Sequence, residues 1–126
     1  MSYSVETTSK EVSVRGEATR TFNEILCQAT DKTLEQLLGE KVVEAVYVLL
    51  REKFGVDRNE LPYRIDTLCS VLQSVFGVKS TRVIERRIAK NLYDRILLPF
   101  DDQQVLTLED FIKQAKETIS RDNYYT

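Results

Sequence analysis

Between Gly39 and Gly55 the apolar residues Val42, Val43, Val46, Tyr47, Leu49, Leu50 and Phe54 recur at steps of three and four. That spacing stacks side chains along one side of an α-helix and cannot sit on one face of a strand. Glu40, Lys41, Glu44, Arg51, Glu52 and Lys53 fill the opposite side. A stripe this wide has to be covered from several directions, so the segment reads as a central helix around which the rest must pack. Its end is written in Phe54-Gly55-Val56. Glycine adopts the left-handed conformation after the last turn, and the next residue, a valine, can fold back onto the helix.

The flanking segments carry the same period. Ala18, Phe22, Ile25, Leu26 and Ala29 form one face, and Leu34, Leu37 and Leu38 form another after Thr30-Asp31. Asp31 is placed to cap a new helix there, since its carboxylate can accept from orphan N–H groups of the next turn. Residues 57–62 read as a connector, with Pro62 disfavouring helix at Leu61. Ile65, Leu68, Cys69, Leu72, Val75 and Phe76 then make a helix that ends at a second Phe-Gly-Val, Phe76-Gly77-Val78. The repeat is read as a recurring helix stop rather than a duplication. Ser80 is expected to cap a helix to about Leu97, with Ile84, Ile88, Leu92 and Ile96 at strict four-residue spacing and Pro99 closing it. Thr107 and Asp110 form the two ends of a capping box before Leu108, Phe111, Ile112, Ala115 and Ile119.

Only Glu11-Val12-Ser13-Val14-Arg15 alternates with period two, inside a polar stretch over residues 1–16. This arm is expected to be flexible or to order against a partner chain. The prediction is therefore all-α: a compact bundle of five or six helices forming a single domain over residues 17–120, with a frayed tail over 121–126. Val43, Val46, Leu50, Leu68, Leu72, Ile84, Ile88 and Leu92 are its expected core.

Composition narrows the chemistry. The 126 residues include no histidine, which removes the commonest general base, zinc ligand and partner of a nucleophilic Ser or Cys. Cys27 and Cys69 are too few for a disulfide framework or a zinc set. The glycines are scattered, so no phosphate-cradling loop is present, and Asp101-Asp102 lacks the alternating ligands and central glycine of a calcium loop. The expectation is a non-enzyme without metal or cofactor. No run approaches the ~20 apolar residues of a membrane span, and Met1-Ser2-Tyr3-Ser4 has no signal pattern. A cytoplasmic protein without a membrane role is expected.

Net charge is −2, less basic than a dedicated nucleic-acid binder. Positive charge nevertheless collects at residues 79–95. Lys79, Arg82, Arg86 and Lys90 fall within about 80° of one another on a helical wheel, flanked by Arg87. These five are the candidate anion- or partner-binding residues, and they keep nucleic acid alive as the alternative function. Glu85 lands inside the apolar arc of the same helix. It must reach the rim, pair with an Arg, or meet a second subunit. Phe54, Phe76, Tyr47 and Leu72 could line a small-ligand pocket, although aromatics so placed usually form core. Val48 and Leu97 point away from the main faces, as interface residues do. A protein–protein interaction module, self-associating as a homodimer, is the leading expectation.

The run from Leu38-Gly39-Glu40-Lys41-Val42-Val43-Glu44-Ala45-Val46-Tyr47-Val48-Leu49-Leu50 through Phe54-Gly55-Val56, Leu61-Pro62 and Val75-Phe76-Gly77-Val78 to Val83-Ile84-Glu85 and Ile88-Ala89-Lys90-Asn91-Leu92-Tyr93 resembles a family. It is similar to the small helical output domain of archaeal signalling and one-component regulator proteins, the Nitrosopumilus output domain family. The likeness covers roughly residues 34–97. It implies an archaeal intracellular module, an adaptor or signalling output domain that relays a signal through contacts. It carries no catalytic residues over to this chain. The sensor or helix-turn-helix domain that accompanies such modules has no counterpart in these residues, so the chain is expected to act alone or to recruit a partner.

Overall fold

The computed structural model describes residues 21–125, with side chains as far as Arg121, so the arm expected at 1–16 lies outside the described residues. Within them the order is α1 (residues 21–38), α2 (Glu40–Phe54), a 3₁₀ turn (Arg58–Tyr63), α3 (Ile65–Arg95) and α4 (Leu108–Tyr125). Every regular element described is helical and none is a strand. The protein is all-α, with five helical elements among the described residues.

No new helix starts at Asp31, because α1 runs straight through it. Thr30 turns its hydroxyl back to the Leu26 carbonyl at 2.8 Å and stays buried, so the backbone ladder is not interrupted. The Asp31 carboxylate leaves the helix instead. It accepts a hydrogen bond from the Tyr47 hydroxyl and lies 3.8 Å from Arg58.

In α2 the buried face is Val43, Val46, Tyr47 and Leu50. Val42 and Phe54, expected within the stripe, are exposed at its edges. The stop at Gly55 forms as expected. Gly55 has φ 66 and ψ 28, its N–H reaches the Arg51 carbonyl, and the Val56 N–H reaches that of Leu50 at 3.1 Å. Val56 is buried against the core. The segment 57–62 is more ordered than a plain connector. Asp57 and Glu60 cap each other's backbone N–H groups, and Pro62 with its fixed φ fits the 3₁₀ turn that a longer α-helix would reject.

Gly77 is not a second stop of the same kind. It takes φ 85 and ψ 167, outside the left-handed helical well, and α3 resumes on its far side. The residue marks a kink between two helical halves. Its counterpart is Gly39, at φ 87 and ψ 156, which joins α1 to α2. The two Phe-Gly-Val sequences thus perform different turns. Ser80 is exposed within the resumed helix rather than capping it, and Thr81 bonds back to the Gly77 carbonyl at 2.7 Å. The helix ends at Arg95. Leu97 takes the left-handed position at φ 60, and the Leu98 N–H returns to the Tyr93 carbonyl.

Thr107 caps α4, its hydroxyl accepting from the Asp110 N–H at 3.1 Å. That helix continues to Tyr125. All eight expected core residues are buried, together with Leu26, Leu34, Tyr93, Leu108 and Phe111. Tyr93 stands edge-on to both Phe100 and Phe111, at 5.5 and 5.9 Å between ring centres. This aromatic group fastens the 96–107 connector and α4 to the second half of α3.

Candidate binding cleft

The basic ridge is only partly available. Arg86 is half-buried and forks into the connector, donating to the Gln104 carbonyl at 2.8 Å and to the Asp102 carbonyl, with its guanidinium over the Phe100 ring. Two backbone acceptors hold it, so it is a structural clamp rather than a free cation. Lys90 lies 4.0 Å from the Asp102 carboxylate, both side chains exposed. Lys79, Arg82 and Arg87 face solvent. The expected arc of four aligned cations therefore does not form one continuous anion-binding strip. Looping residues 100–106 against α3 takes one of its members and weakly neutralises another.

What the structure places beside the ridge is a cleft of about 450 Å³ between α1 and the second half of α3. Thr33 and Gln36 contribute from α1, and Arg87, Lys90, Asn91 and Asp94 from successive turns of α3. Leu98 and Phe100 complete it. Asn91 fixes the two walls: its amide donates to the Thr33 hydroxyl at 3.1 Å, and Arg95 donates to both Asn91 and Gln28. The site combines two cations, one carboxylate, neutral hydrogen-bonding groups and apolar surface. Arg87 and Lys90 were legible from sequence. Thr33 and Gln36 were not, because nothing in their spacing says which turn of α3 they face.

Glu85 is half-buried, as a residue at the rim of the apolar arc would be, and its carboxylate is engaged there. Its carboxylate accepts the Leu108 backbone N–H at 2.9 Å, capping α4 from a distance. It also adjoins Cys69, whose thiol is pushed up to about 12, first by burial and then by the charge of Glu85. Cys69 is partly buried and packs against the core. Cys27 is raised as well, by burial and then by Asp31, and its Sγ lies 3.7 Å from the Arg58 carbonyl. Burial and the Asp31 hydrogen bond likewise hold the Tyr47 hydroxyl protonated far above its usual range. Arg58 covers the Tyr47 ring at 4.1 Å, so this cluster pins the 3₁₀ turn to α1 and α2.

The pocket considered at Phe54, Phe76, Tyr47 and Leu72 does not assemble. Phe54 is at the surface, Leu72 is fully buried, and Tyr47 is committed to Asp31. Among the described residues no group of His, Cys, Asp and Glu side chains could hold a metal ion, and no helix is long and apolar enough to cross a membrane. No family model, curated protein or solved structure matches the chain.

Proposed function

We propose that this chain is a non-catalytic α-helical interaction module, an adaptor or signalling output domain that acts in an archaeal cytoplasm by self-association and by contact with a protein partner. One observation carries the reading. Val75 and Val78 are each 51% exposed on either side of the Gly77 kink. Neighbouring branched apolar side chains left in water along one segment mark a surface that another protein covers. Support for a non-catalytic role comes from the missing histidine and from thiols that burial keeps protonated.

Nucleic-acid binding through residues 79–95 is the weaker reading, since Arg86 is tied to backbone carbonyls and Lys90 has an acidic neighbour. Sedimentation equilibrium across the micromolar range tests the leading one. Concentration-dependent dimerisation is expected, weakened by Val75→Ser with Val78→Ser. A strict monomer that chemical cross-linking in its native cytoplasm joins to no protein would remove it.

A further inference from the structure

We propose that the cleft between α1 and the second half of α3 is the docking site for an acidic amphipathic segment of a partner protein. The inference rests on the interaction-module reading and names the chemistry of what the module holds. Arg87 and Lys90, three residues apart on α3, present two cations on one wall. That wall already receives a carboxylate, for Asp102 approaches Lys90 to 4.0 Å. Both side chains are exposed, so an incoming carboxylate can replace Asp102 at little cost.

The apolar part of the site extends past the cavity itself. Leu98 and Phe100 line it, and Val83 lies one turn before Arg87 on the same exposed face. Leu97, next to Leu98, is 89% exposed and held at φ 60, a conformation that disfavours a branched side chain. A small anion would have no use for apolar side chains standing outside the cavity. A peptide with carboxylates beside leucine-like residues would cover them and meet the cations together. Asp94 in the lining repels a phosphate chain more than it does a segment that places an amide or hydroxyl there, and this favours protein over nucleic acid. The walls are fixed by the Asn91–Thr33 hydrogen bond, so little ordering is required on binding.

The test pans the full chain against a random-peptide display library and, separately, a random duplex-oligonucleotide pool. Selected peptides are expected to pair Asp or Glu with Leu, Ile or Phe. A synthetic copy should bind about tenfold or more weakly to Arg87→Glu with Lys90→Glu. It should also bind more weakly to Val83→Ser with Leu97→Ser, which leaves the charge intact. All four positions are exposed, and an unchanged helical circular dichroism spectrum checks each variant. Enrichment of basic or neutral peptides, no enrichment, or affinity indifferent to the charge reversal overturns the proposal. So does oligonucleotide binding that depends on Arg87 and Lys90. If any of these occurs while Val75→Ser with Val78→Ser still weakens dimerisation, the cleft assignment falls and the interaction-module reading stands.

Discussion

The Glu85 carboxylate accepts the backbone N–H of Leu108 at 2.9 Å, so a residue in the middle of α3 caps the first turn of α4. The contact joins positions 23 residues apart and places negative charge at the positive end of a helix dipole. Thr107 caps a second N–H of the same turn, at Asp110. Two orphan donors are thus satisfied from different elements, which sets where α4 starts and how it leans on α3.

Glu85→Ala should therefore destabilise the fold by about 1–3 kcal/mol, the cost of a half-buried N–H left without its acceptor. Glu85→Gln keeps an oxygen within reach and should lose markedly less. Urea midpoints of the two variants decide the point. Equal losses would show that charge alone matters, and no loss in either would show that the contact is idle.

Gly77 and Gly55 should respond differently to the same substitutions. A side chain at either meets no atom within 4 Å, so any penalty is conformational rather than steric crowding. Gly55 sits at φ 66 and ψ 28, which asparagine tolerates, and Gly55→Asn should cost a few tenths of a kcal/mol. Gly77 sits at φ 85 and ψ 167, territory that is essentially glycine's alone. Both Gly77→Ala and Gly77→Asn should cost about 1–3 kcal/mol or straighten α3. Denaturation curves measure the first outcome, and amide exchange around residue 77 reports the second.

Arg86 should prove a stability residue and a poor binding one. Arg86→Ala removes two charge-assisted bonds to the Gln104 and Asp102 carbonyls and should cost about 1–3 kcal/mol. Arg86→Lys should restore little, because an ammonium cannot fork to both carbonyls. Faster amide exchange at residues 101–106, with the α2 core still protected, would identify the connector as the part released.

Helix identity and the core were readable because both depend on local period. Val43, Leu50, Leu68 and Ile88 repeat at helical spacing, and that pattern alone accounts for their burial. The joints were harder. The two Phe-Gly-Val sequences are identical, yet Gly55 ends a helix and Gly77 bends one, because the residues beyond the glycine decide which turn is completed. Asp31 has the composition of a cap, but its best partner is Tyr47, a residue 16 positions away. Glu85 and Arg86 show the same limit from the side of the site. A helical wheel gives their direction from the axis and says nothing of the loop that arrives there. The candidate cleft was half-legible for this reason: its cations were visible in the sequence, and the α1 residues opposite them were not.

Alkali should loosen the fold before acid chemistry of any site becomes visible. Cys69 is raised from its ordinary 9.0 to about 12 by burial and then by Glu85, and Cys27, Tyr47 and Tyr93 are raised too, each chiefly by burial. A folded state that holds a proton more tightly than the unfolded chain gains stability that is complete below the unfolded pKa. For Cys69 that contribution is intact below pH 9.0 and is lost progressively as pH rises toward about 12. The urea midpoint should fall between about pH 9 and about pH 12, and Cys69→Ala should make the fall shallower. Native Cys69 should also react far more slowly with a thiol reagent than the same residue in the urea-unfolded chain. A midpoint that stays level over this range, or native labelling as fast as unfolded labelling, would mean that the thiol is not buried as described.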